Sequence, residues 1–172
     1  LCYCNSFAQI TVTNKGVTIT NYDQNIYVNG SVVNQTNGFI RNTGSIYVNG
    51  DIINNATTFF SDSSSGAFYL NGAQQIISGT HALNFHRLIL NTTDSLELQQ
   101  SIKVADSLNF INGFIHLNGN TIDLDSTGRL ANERHTSHIY GTSGKVMTRK
   151  YINQPDLTNN AGGLGLKIKS NN

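Results

Sequence analysis

Apolar residues along this chain come in short alternating pairs, not in long stripes. The clearest pairs are Ile26/Val28, Ile46/Val48, Phe68/Leu70, Leu88/Leu90 and Ile115/Leu117. A period of two belongs to a β-strand with one buried face. No stretch of helical periodicity runs beyond about two turns. The pairs sit inside a recurring phrase: "IYVNG" at 26–30 and again at 46–50, then "FYLNG" at 68–72, "LILNT" at 88–92 and "IHLNG" at 115–119. Successive steps are 20, 22, 20 and 27 residues.

A step near twenty residues is the signature of a solenoid. One coil cannot bury its own apolar face, whereas stacked coils share a continuous core. After the copies come second short runs, "SVVN", "DIIN", "QQII", "SLEL" and "TIDL", and a third set, "GFIRN", "TFFSD" and "LNFHR". Three short strands per coil predict an all-β fold, a right-handed parallel β-helix with about 20–22 residues per coil. Residues 9–172 form one such domain in this reading. The alternative fold is an antiparallel β-sandwich built on Asn-Gly hairpins. The fourth position of the phrase is always Asn. Stacked coils therefore predict an amide ladder of Asn29, Asn49, Asn71, Asn91 and Asn118. The 27-residue step predicts a loop or widened turn near 101–113.

Composition narrows the function classes. Charged residues are 12% of the chain and the formal net charge is +1, so bulk charge gives no case for nucleic acid or an anionic membrane. Asn supplies 24 of the 172 residues. This polar, weakly charged and strand-rich composition fits an extracellular all-β protein. No run reaches the ~18 apolar residues of a transmembrane helix. The opening "LCYCNSFAQ" reads as the end of a secretory signal peptide over residues 1–8. Ser6 and Ala8 would stand at −3 and −1, with cleavage between Ala8 and Gln9. Cleavage there removes Cys2 and Cys4, and with them disulfides and thiolate chemistry. The rival reading, lipidation of Cys4, conflicts with the bulky Tyr3 before it. The first and last residues read as those of a fragment of a longer protein.

Candidate chemistry is sparse. Tyr27, Tyr47 and Tyr69 occupy the second position of successive copies and predict an outward column, continued by Ile89 and His116. Such a column is either a glycan-contact strip or cross-coil stacking that stiffens a rod. Asp123 and Asp125 in "TIDLD" form an acid pair on an outward face, a pattern that serves glycoside hydrolysis or Ca²⁺, or is simply solvated. Glu133, His135 and His138 have metal-like spacing but no evident further ligand. Asn29, Asn34, Asn55 and Asn91 head N-x-[ST] sequons. "TVTNKGVTIT" (11–20) offers Thr-x-Thr pairs, as ice- or crystal-binding arrays do, though only in the first coil. No cofactor motif is present.

The pieces "NGFIHLNGNTIDLD", "SHIYGTSGKV" and "NNAGGLGLKI" resemble segments of large secreted, cell-surface proteins of Bacteroidota exported by the type IX secretion system. The likeness spans about residues 84–170, and "SFAQ" is similar to signal-peptide ends of that phylum. It brings no catalytic residues, and the family's C-terminal sorting domain is not among these residues. It implies export to the cell surface or medium, further domains downstream in the same polypeptide, and extracellular polysaccharide or other surface proteins as partners. It also implies that "DSL" at 94–96, "DSL" at 106–108 and "DST" at 125–127 are similar to O-glycan acceptor sequences, with Ser95, Ser107 and Ser126 as the acceptors. The resulting expectation is a non-catalytic structural or adhesive module. A polysaccharide-degrading β-helix enzyme fragment and an ice- or crystal-binding solenoid are the alternatives.

Overall fold

A computed structural model describes residues 11–150, 159–165 and 167–168. Ala8 and Gln9, the predicted cleavage pair, lie outside the described residues. The described residues form β-strands, turns and loops without helix. The strands coil into a parallel β-helix with three faces.

The first coil contributes β1 (Val12–Lys15), β2 (Thr18–Asn21) and β3 (Asn25–Val28), one to each face. The second repeats this with β4 (Val32–Gln35), β5 (Phe39–Asn42) and β6 (Ser45–Val48). Each strand pairs in parallel with its counterpart: Val12 with Val32, Ile19 with Ile40 and Ile26 with Ile46. The third coil has β7 (Ile52–Asn54) and β8 (Ala67–Leu70), with only a bridge from Phe60 to Ile40 on the second face. β9 (Gln75–Gly79) opens the fourth coil on the first face.

Two long strands follow. β10 (Leu83–Leu98) and β11 (Ile102–His116) each pass through all three faces. They pair with each other in parallel, with irregularities between Phe85 and Arg87 and between Leu90 and Ser95, where the chain bends. The last coils add β12 (Thr121–Asp123), β13 (Arg129–Ala131), β14 (Ile139–Tyr140) and β15 (Lys145–Met147), all pairing in parallel. A small antiparallel pair, β16 (Asn159–Asn160) with β17 (Lys167–Ile168), stands apart. Parallel pairing throughout the body excludes the antiparallel sandwich.

The alternating apolar pairs point inward as the period of two requires. On the third face Ile26, Ile46, Phe68, Leu88, Leu108 and Leu130 form one inward column, and Val28, Val48, Leu70, Leu90 and Phe110 form the next. Full burial of each such side chain is worth about 1.5–3 kcal/mol. Where the third coil lacks a second-face strand, Phe59, Phe60, Phe68 and Phe85 fill the space with ring centroids 4.8–6.2 Å apart.

These columns correct one reading of the repeat. The copy after "LILNT" is Leu108 and Phe110, one step of twenty beyond Leu88 and Leu90. Ile111 is an extra residue there: Leu90 pairs with Phe110, but Asn91 pairs with Asn112. The bulge puts Asn112-Gly113 one position late and hides the copy from a match of fixed length. "IHLNG" lies instead on the first face, where Ile115 pairs with Leu96 and with Ile139. "TIDL" is correspondingly on the second face, with Ile122 on Ile102. No widened loop interrupts residues 101–113, which lie almost wholly within β11.

Candidate functional site

Tyr27, Tyr47 and Tyr69 stand on the outward side of β3, β6 and β8 and stack through successive coils. Ring centroids are 4.7 and 4.3 Å apart, with interplanar angles of 12° and 17°. Parallel strands lie roughly 4.8 Å apart, so in-register rings meet face to face. This stacking covers both faces of the Tyr47 ring and one face each of Tyr27 and Tyr69. Tyr69 has its pKa raised, chiefly by burial and then by Tyr47, while Arg87 beside it works in the opposite sense. The column continues with Ile89 and Asn109, not His116. His116 is on the first face, where its ring stacks on Tyr140 at 5.0 Å and 11°.

The predicted amide ladder exists as two separate pairs. Asn49 Nδ2 donates to Asn29 Oδ1 at 3.1 Å, and Asn91 Nδ2 to Asn71 Oδ1 at 3.3 Å. Asn118 is not part of it. It lies beyond the end of β11 with φ 46°, and its amide donates to Glu97 at 3.3 Å.

The deeper ladder is inside the coil. Asn14, Asn34 and Asn54 are fully buried at the ends of β1, β4 and β7. Asn14 Nδ2 donates to Asn34 Oδ1 at 3.0 Å, and Asn34 Nδ2 donates to Asn54 Oδ1 at 3.2 Å. Asn34 Nδ2 also approaches the carbonyls of Gly38 and Thr58 at 2.9 and 3.0 Å. A second ladder joins Asn21 to Asn42 at 2.8 Å. These amides satisfy carbonyls that each corner turns into the core, which would otherwise be stranded there. The signal was in the sequence: asparagines 20 and 20 residues apart, and 21 apart, each following an inward apolar residue by two. Looking for a ladder only at the Asn of the repeated phrase missed it. The burial of Asn34 also removes its sequon from use.

The acid pair is neutralised in place. Arg149 bridges Asp123 Oδ2 at 2.9 Å and Asp125 Oδ1 at 3.2 Å, and Lys103 reaches the other Asp125 oxygen. The hydrogen bond from Lys103 is the main cause that holds the Asp125 carboxyl below its usual range. Two carboxylates each held by cations form an ion cluster. A general acid needs the opposite, a carboxyl whose pKa is raised. Glu133 Oε1 accepts the Ile139 amide at 2.9 Å. His138 Nδ1 lies 3.0 Å from the His135 carbonyl, and its ring meets Phe114 edge-on. Among the described residues no three His, Cys, Asp or Glu are grouped to hold a metal ion.

Ser95 opens the first-face segment of β10, Ser107 sits outward on the third face between Arg87 and Arg129, and Ser126 is exposed in the turn after Asp125. The Thr pairs of the first coil are followed by Val33, Phe39 and Arg41 rather than by Thr, so no Thr array builds up. A broad groove on the third face, about 340 Å³, is lined by Tyr69, Arg87, Ile89, Ser107, Asn109 and Arg129 among others. Among the described residues no helix is long and apolar enough to cross a membrane. No family model matches this chain, and neither a curated protein nor a solved structure matches it.

Proposed function

We propose that this chain is a non-catalytic structural module, a rigid β-solenoid spacer within an exported surface or extracellular protein. The observation that carries this reading is the axial self-stacking of side chains on the surface as well as in the core. The Tyr27–Tyr47–Tyr69 column, the His116–Tyr140 stack and the Lys103–Asp125–Arg149 cluster each link one coil to the next. The side chains of these three sets are committed to the rod. The resemblance to secreted Bacteroidota proteins supports the exported setting. Polysaccharide or neighbouring surface proteins are the partners such a spacer would meet.

The test joins the chain to a fluorescent protein at each end and measures energy transfer. A spacer gives one narrow distance distribution that is unchanged by salt. The same preparation is incubated with a panel of polysaccharides, and reducing ends are counted. A broad distance distribution, or sugar release that disappears in Asp123→Asn, would refute the proposal.

A further inference from the structure

Arg87 and Arg129 lie 42 positions apart in the chain, yet they occupy one outward column of the third face. Arg87 pairs with Ser107, and Ser107 pairs with Arg129. Two strand spacings separate the guanidinium-bearing positions by roughly 10 Å along the axis. Ser107 between them is small, so the column opens into the groove of about 340 Å³. None of the outward strand positions on this face carries a carboxylate. The nearest acids in the chain sit on the flanking corners and have partners: Asp106 accepts from the Ser107 hydroxyl at 3.5 Å, and Glu133 from the Ile139 amide. Both arginines are exposed. Arg87 gives one of its N–H groups to the Ser65 carbonyl at 3.0 Å, which fixes the side chain and leaves the other donors outward. Among the described residues neither arginine takes part in a salt bridge.

The rest of the groove has a different character. Its floor is apolar, with Ile89 and Ala131. One wall is a pair of amides, with Asn132 Nδ2 donating to Asn109 Oδ1 at 2.7 Å, and Tyr69 stands at the end. Two cations set along the axis over an apolar and amide-lined floor suit a chain that carries an anion at intervals, with hydroxyls and C–H faces between.

The geometry points to a binding groove for a linear anionic polysaccharide, uronate-bearing or sulfated, with Arg87 and Arg129 each holding one acidic group. A separation of about 10 Å is of the order of one disaccharide, so acids on alternate sugars meet successive arginines. Arginine forks suit carboxylate and sulfate oxygens. Nucleic acid fits less well, because the outward strand positions of this face offer two cations, where phosphate binding draws on many. The groove goes beyond the spacer reading, and a rod whose groove binds nothing remains a rod.

The test is affinity electrophoresis of the whole chain through gels containing alginate, a polyuronate, or pullulan, which is neutral. Alginate is expected to retard the protein and pullulan is not. Arg87→Gln and Arg129→Gln should each weaken retardation roughly five- to tenfold, as expected for one partly exposed charge-assisted contact. The double variant should remove it. Ser107→Glu, which puts a carboxylate between the arginines and leaves both in place, should also remove it. Arg41→Gln loses the same charge on the second face, where Arg41 lies over the Tyr22 ring, and should change nothing. Thermal melts confirm that each variant is folded. The inference is overturned if alginate does not retard the folded protein, if the double variant is retarded like the parent, if Arg41→Gln acts like Arg87→Gln, or if an oligonucleotide displaces alginate at equal charge.

Discussion

The first three coils and the two that follow solve the same problem in different ways. A chain that turns three times per coil brings backbone carbonyls of its corners toward the core, where water cannot reach them. In residues 11–80 the strands are three to five residues long, and buried asparagine amides fill the corners. In β10 and β11 the strands run 16 and 15 residues, and the corners are bends within one continuous parallel pairing. The switch occurs at Gly79, which pairs with Asn54. Its φ is 123°, and a Cβ there would stand 2.1 Å from the Asn54 carbonyl oxygen. Asn54 Nδ2 then turns to the carbonyls of His81 and Ala82, and the ladder ends. The polar solution is all-or-nothing, since each amide serves several partners. The bent-strand solution spreads the load over the backbone and leaves the interior to Leu, Ile and Phe.

This contrast orders the expected effects of mutation. Asn34→Ala is the most severe, at about 3–5 kcal/mol, because it strands the Gly38 and Thr58 carbonyls together and leaves Asn14 Nδ2 with the Phe39 carbonyl alone. Urea denaturation measures it, and a loss under 1 kcal/mol would mean that water fills the corner readily. In the bent-strand region Leu90→Ala should cost about 3 kcal/mol by cavity formation alone. An Asn34 variant less damaging than Leu90→Ala would reverse the comparison. Gly113→Ala tests the bent corners directly. Gly113 has φ 91°, and an added Cβ would stand 2.0 Å from Thr92 Oγ1. The strained backbone should cost roughly 1–3 kcal/mol before that overlap is counted. Tyr47→Ala removes both ring stacks of the tyrosine column and should cost about 1 kcal/mol while leaving the circular dichroism spectrum unchanged.

The smallest effect is on pH dependence at the end of the rod. Asp125 has its pKa lowered in the folded state, so its contribution is present above the unfolded carboxyl value of about 3.9 and fades as pH falls through the lower folded value. Asp125→Asn should flatten the acid limb of the melting curve below about pH 4, and Lys103→Met should do the same. An unchanged limb in both variants would show that the cluster does not contribute.

The alternating apolar pairs were legible because every coil must present the same inward pair to its neighbours. The tyrosine column was legible for the same reason. The fifth copy was not, because a single bulged residue, Ile111, breaks the phrase while preserving the pairing on either side. Asn14, Asn34 and Asn54 carried their spacing openly, but asparagine is rarely buried and its role depends on which way the corner turns. The Arg87–Arg129 column needed the register itself. Forty-two residues of sequence become two strand spacings only when β10, β11 and β13 are known to lie side by side.

Deletion tests the central claim, that one coil is the unit of this structure. Val12, Val32 and Ile52 stand in one column at steps of twenty residues, as do Asn14, Asn34 and Asn54. Removing residues 31–50 sets the first coil on the third, with Asn14 meeting Asn54 and Tyr27 meeting Tyr69. Removing residues 31–40 takes half a coil and puts every later strand against the wrong face. Thermal unfolding of both deletions, followed by circular dichroism, should show a cooperative transition for the whole-coil deletion and none for the half-coil deletion. Cooperative folding of the half-coil deletion, or collapse of the whole-coil deletion, would contradict the account.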